Sequence, residues 1–182
     1  MAWEYCVRWN MLRATPIDPL TEDEARARHR SGALYTAYSR NDDGAVSMAV
    51  EVRLENGFVG VWDFDRYRRP CWYRVLKQRD GRMFMGDTFL YEYGDSVEYL
   101  AMDRAEQVLH RHVEPDGNGF TIERRKGDPI GERTEISLKE GEALDYYWIQ
   151  VPAFGEYDEA SLVGIDPSEI EQALREAGYE GA

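Results

Sequence analysis

Val46-Ser47-Met48-Ala49-Val50-Glu51-Val52-Arg53-Leu54 is the stretch that decides the fold. Val46, Met48, Val50, Val52 and Leu54 alternate with Ser47, Ala49, Glu51 and Arg53. A period of two sends successive side chains to opposite faces of a strand. The run therefore predicts a strand with one buried face and one wetter face. Immediately before it, Asn41-Asp42-Asp43-Gly44 has hairpin-turn chemistry and implies a preceding strand over residues 34–40. Immediately after it, Glu55-Asn56-Gly57 carries an Asn-Gly pair and implies a return strand over 58–64.

The same alternation of turn and β-forming segment continues outward. Turn signals fall at Arg79-Asp80-Gly81, Gly94-Asp95, Pro115-Asp116-Gly117-Asn118-Gly119, Lys126-Gly127-Asp128-Pro129 and Lys139-Glu140-Gly141-Glu142. Between them lie strand-length segments at 72–78, 83–92, 97–102, 106–113, 120–125, 133–138 and 144–151, with Asp103-Arg104-Ala105-Glu106 readable as a helical turn. Short connections of this kind pair sequence neighbours antiparallel. Residues 3–11 form an aromatic-rich first strand, and Pro16 and Pro19 are expected to break the chain after it.

Two helices flank this pattern. Thr21-Glu22-Asp23-Glu24 is a capping box, acidic residues precede Arg26, Arg28, His29 and Arg30 as the helix dipole favours, and Gly32 is a stop. The chain closes with Asp166 as N-cap, Pro167 at the first helical position, an apolar stripe of Ile170, Ala173, Leu174 and Ala177, and Gly178. The expected fold class is α+β. It is mostly an antiparallel β-meander, forming a strongly curved sheet or partly closed barrel of about nine strands with two short peripheral helices, in a single domain over 1–182.

Charge is partitioned along the chain. Residues 1–90 hold 14 basic and 13 acidic residues, whereas 91–182 hold 8 and 22, within an overall net charge of −13. The segment 66–82 runs the other way, with seven basic residues against Asp80. Its arginines are expected to pair with the acidic half. The overall acidity argues against nucleic acid or an anionic membrane surface as partner. No run approaches the roughly 18 apolar residues of a membrane span. The first residues, Met1-Ala2-Trp3-Glu4-Tyr5, lack the pattern of a leader, and two cysteines form no disulfide framework, so the expected location is the cytoplasm.

Catalytic signatures are missing from the sequence. No Gly-x-Ser-x-Gly elbow or phosphate-binding Gly-Lys-Ser/Thr occurs, and Cys6 and Cys71 sit among aromatics as structural thiols do. His110 and His112 would share one face of a strand, with Glu98, Glu106 or Glu123 as a conceivable third metal ligand. The expectation is that they hold no metal, and that no cofactor and no catalytic residue is present. The most informative segment follows Tyr146-Tyr147-Trp148: Val151-Pro152-Ala153-Phe154-Gly155-Glu156-Tyr157-Asp158-Glu159. It reads as a surface loop for a basic protein partner, with Phe154 or Tyr157 as anchor and Glu156, Asp158 and Glu159 as charged rim. The functional expectation is a small acidic inhibitor, immunity-protein or antitoxin-like, blocking the basic cleft of a toxin enzyme. Two other readings stand beside it. One is a ligand-binding or enzymatic β-barrel whose cavity draws on Arg68, Arg74, Tyr91, Tyr93, His110 and His112. The other is an assembly protein that oligomerises through sheet edges.

Overall fold

The strand-and-turn pattern resolves, in a computed structural model, into an open antiparallel sheet. The structure describes residues 2–128, 130–138 and 144–162. The helix expected over 166–178 and the turn at 139–142 lie outside the described residues.

Eleven strands share one sheet: β1 (Trp3–Asn10), β2 (Thr15–Leu20), β3 (Tyr35–Arg40), β4 (Val46–Arg53), β5 (Phe58–Phe64), β6 (Pro70–Arg79), β7 (Arg82–Glu92), β8 (Gln107–Val113), β9 (Asn118–Arg125), β10 (Glu132–Ser137) and β11 (Trp148–Gln150). Their spatial order is β10-β9-β8-β7-β6-β5-β4-β3-β1-β2, with β11 added to β7. From β3 to β10 each strand pairs with its sequence neighbour, as the turn chemistry requires. The sheet does not close into a barrel, because among the described residues β2 and β10 each have a strand on one side only.

The first helix, α1 (Glu22–Ser31), forms where its signals fall. Thr21 accepts from the Glu24 amide, Glu24 reaches back to the Thr21 amide, and Gly32 ends the helix at φ 75. Charged on most of its surface, α1 buries Ala25 and carries the chain across β1, so that β2 and β3 flank β1. A second helix, α2 (Asp158–Leu162), is short.

Three expectations are corrected here. Pro16 and Pro19 do not break the chain: both lie within β2, an edge strand, which is where a sheet tolerates proline. Residues 97–102 form no strand and lead instead into a 3-10 turn at Met102–Arg104. Val46 leaves the face of its neighbours. The β3–β4 register slips between Ser39 and Arg40, and this bulge turns Val46 towards Cys6, Tyr38, Ala49 and Phe64.

The remainder of the β4 pattern holds. Met48, Val50 and Val52 are buried in the main core, while Ser47 and Glu51 are half-buried and Arg53 is exposed. Ala49, expected on the wetter side, is fully buried, because the small cluster around Cys6 and Tyr38 covers that end of the second face.

Bulges between Asp63 and Phe64, and between Val75 and Leu76, bend the neighbouring strands. Beyond the second one, β7 changes partner. Arg82, Met83 and Phe84 pair with β11, whereas residues 87–92 pair with β8. This change brings the segment after residue 144 onto the core face. There Leu144, Tyr147, Ile149, Tyr157 and Ala160 pack against strand residues Tyr5, Tyr35, Val50, Val61 and Leu76.

Candidate functional site

The segment 150–159 splits its side chains by character. Phe154 stacks on Tyr5 at 5.2 Å, meets His29 edge-on, and has the Arg26 guanidinium 4.4 Å from its ring centroid. Tyr157 is fully buried, lies edge-on to Trp3 at 5.0 Å, and shares a 2.8 Å hydrogen bond with the Tyr35 hydroxyl. The Tyr35 hydroxyl also meets His29 Nδ1 at 2.9 Å. Burial raises the pKa of both phenols, so both stay protonated. The expectation of Tyr157 as a surface anchor is therefore corrected. Its ring fills space between β1, β3 and α2, where the apolar area gained exceeds what a solvated loop would offer.

Glu156, Asp158 and Glu159 point the other way and are exposed, as expected. The Glu156 amide donates to the Ala153 carbonyl, and Gly155 supplies the positive φ of 86 that this turn needs. The outcome is an open groove of about 310 Å³ lined by Val151, Pro152 and Ala153 together with Glu156, Asp158 and Glu159. Pinned aromatics beneath the turn hold these carboxylates on an ordered frame.

Several cations of the described residues are engaged elsewhere. Arg69 pairs with Asp65, sits between the Tyr67 and Tyr93 rings, and donates to the Ser96 carbonyl. Arg74 is buried against Asp63 at 2.5 Å and lies over Trp72. Lys77 covers Phe58 and Arg82 covers Trp148. Among the described residues the ion pairs of the basic segment, Arg69–Asp65 and Arg74–Asp63, depart from the expected pairing with the acidic half. Among the described residues every arginine ion pair joins partners within the same half of the chain. Hairpin geometry explains this, since the nearest carboxylates to 66–82 lie on the adjoining strand and turn. None of those pairs involves Glu156, Asp158 or Glu159.

A second concentration of chemistry lies on the opposite sheet face. His110 Nε2 and His112 Nδ1 both meet Asp87 Oδ1 at 2.9 Å, and His112 Nε2 meets Glu114 at 3.1 Å. With a carboxylate oxygen at each nitrogen, His112 is best satisfied as an imidazolium carrying both protons. Burial lowers its pKa, but its hydrogen bonds to the Asp87 and Glu114 carboxylates raise it by more, and the net direction is up. The histidines share one face, as their spacing predicts. Glu123, a candidate third ligand, stands opposite Leu109 on the other face. Among the described residues no three His, Cys, Asp or Glu side chains converge to hold a metal ion.

Beside the histidines runs a row of rings that sequence reasoning missed. Trp62 stacks on Tyr73 at 3.6 Å, Tyr73 faces Phe89 at 6.0 Å, and Phe89 stacks on His110 at 4.2 Å. The signal was available, because aromatics stand at alternate positions of successive strands. Such cross-strand pairs steady a half-buried sheet face.

The residues expected to line a barrel cavity do not converge. Arg74 lies on the core side, and Tyr93 donates to the Pro70 carbonyl. Arg68 occupies a turn at φ 63, and Tyr91, His110 and His112 belong to the opposite face. An open sheet has no lumen to gather them. The two thiols are bonded within the fold. Cys6 donates to the Arg8 carbonyl and Cys71 to the Asp63 carbonyl, and burial pushes both up to about 11.

Fold and site together define an open antiparallel sheet carrying an acidic groove on a preorganised turn. Comparison of the chain with protein-family models, curated proteins and solved structures finds no match.

Proposed function

We propose that this protein binds a basic protein partner through the groove at 150–159 and acts by occupying that partner's basic cleft. The reading is of an inhibitor of the immunity-protein or antitoxin type, set against a toxin enzyme. One observation carries it: Glu156, Asp158 and Glu159 line an open groove, and no cation of the described residues forms an ion pair with them. The groove lining is part aliphatic and part anionic, which suits the stem and head of an arginine or lysine side chain. Phe154 and Tyr157 support the site from below, and a pre-ordered frame lowers the entropy lost on binding. Charges at such a rim act chiefly on association rate and on its salt dependence.

The experiment uses a hexa-arginine peptide as probe and compares wild type with the E156K/D158K/E159K variant. Wild type should bind at low salt and weaken steeply as salt rises, and the variant should lose most of this binding. A control reversal at Asp116, Glu132 and Glu135 should change it little. Equal binding by both triple variants would remove the groove from the site. Inhibition is tested on the partner that co-purifies with the full chain from its native host. Charge reversal at the three positions should then slow complex formation without shifting the melting temperature.

A further inference from the structure

The two ends of the sheet differ in a way that bears on self-association. β2 carries Pro16 and Pro19, which cannot donate to a further strand, with Asp18 between them at φ 51. β10 has no proline and no bulge, and its ladder to β9 runs unbroken from Glu132↔Glu123 to Ser137↔Asn118. Glu132, Arg133, Thr134 and Glu135 are exposed, and among the described residues no strand lies on the outer side of β10.

We propose that β10 is a self-recognition edge, through which two copies of this chain pair antiparallel with Thr134 facing Thr134 of the second copy. Symmetry and charge fix the register. A two-fold axis relating antiparallel edge strands stands perpendicular to the sheet, so one residue must face its own copy. Centring on Arg133 sets two guanidinium groups opposite each other, and centring on Glu135 does the same with two carboxylates. Centring on Thr134 sets each Arg133 against Glu135 of the second copy, giving two opposite-charge cross-strand pairs. Within one copy Arg133 Nε already meets Glu135 at 2.8 Å, and Arg133 lies 3.9 Å from the Phe120 ring centroid, so both charges are held above one face. The same register carries Ile130, 82% exposed, towards Leu138 of the second copy, which packs against the main core.

With β2 closed by its prolines and β11 only three residues long, β10 is the long free edge among the described residues, and pairing of that edge with itself gives a closed dimer and not a filament. Six residues a side fall short of the ~1,000 Å² of a stable interface, so the dimer is reversible and concentration-dependent. This inference is independent of the acidic groove.

Sedimentation of the full chain over a dilution series, at about 0.15 M salt to screen the net charge of −13, reads the equilibrium. A monomer–dimer equilibrium is expected. R133E and E135R should each weaken the dimer about tenfold or more, since each places like charges opposite one another twice. R133E/E135R should restore it, because the pairs re-form with signs exchanged, although the contact with Phe120 does not. T134C should cross-link copies on mild oxidation, with wild type, retaining Cys6 and Cys71, as the control. Circular dichroism confirms that each variant is folded. A monomer at every concentration, or a dimer indifferent to R133E, E135R and T134C, would overturn the proposal.

Discussion

The hydroxyls of Tyr35 and Tyr157 lie 2.8 Å apart across 122 residues of sequence, and the bond ties the acidic turn to β3. Tyr157 is therefore a core residue. Tyr157→Ala should cost ~3–5 kcal/mol, the range for deleting a buried aromatic ring. Tyr157→Phe should cost ~1 kcal/mol, the net worth of one hydrogen bond. Denaturant melts of the two variants separate ring from hydroxyl, and an unchanged midpoint for Tyr157→Ala would show that the ring is not part of the core.

Val50 sits between Ala37 on β3 and Val61 on β5, all three fully buried. Val50→Asp should abolish the native fold, because an unpaired carboxylate would enter the main core. Loss of amide dispersion in a two-dimensional NMR spectrum is the readout. Arg53→Asp, on the exposed end of the same strand, should leave the spectrum largely intact.

His112 links stability to pH. Its pKa is raised in the folded state by Asp87 and Glu114, against the effect of burial. A raised folded pKa means a contribution fully present below the unfolded value of about 6.5 and lost as pH rises through the folded value. The stability difference between wild type and His112→Gln should be greatest below pH 6.5 and shrink above it. A difference that grew with rising pH would exclude the imidazolium. Metal analysis of freshly purified protein should show no stoichiometric zinc or iron, since Asp87 and Glu114 already occupy the ring nitrogens.

Arg74 holds Asp63 within the sheet. Burial raises the pKa of Asp63 even with Arg74 beside it. Arg74→Met should cost ~1–3 kcal/mol by leaving the half-buried Asp63 carboxylate without its cation. Arg74→Met with Asp63→Leu should recover much of that loss, because the desolvation penalty leaves with both charges. Urea unfolding of the two variants measures the coupling, and additive losses would show that the pair is not coupled.

Reversal of Glu156, Asp158 and Glu159 to Lys should move stability by under about 0.5 kcal/mol per site, as is usual for exposed positions. A larger fall in melting temperature would show that the groove rim contributes to folding.

What the sequence determined by itself is local. The capping box at Thr21 and Glu24, the stop at Gly32, the hairpins around residues 41–44 and 79–81, and the alternation along β4 depend on neighbours within a few residues, so their chemistry is written in order along the chain. The common face of His110 and His112 follows from the period of two alone. Tertiary structure decided what depends on distant partners. Whether the sheet closes, and which way Val46 faces after the bulge, depends on curvature accumulated over many strands. Pro16 and Pro19 read as breakers until β2 takes an edge position, where a sheet tolerates proline. Tyr157, flanked by Glu156 and Asp158, reads as surface from its neighbours, yet the space that receives it is built by Trp3 and Tyr35, more than a hundred residues away. Arg74 finds Asp63 across a hairpin and Arg69 finds Asp65 within the adjoining turn, both outside the acidic half. That pairing is a matter of distance in space, which one sequence does not encode, and among the described residues it leaves the carboxylates of the groove without an ion-pair partner.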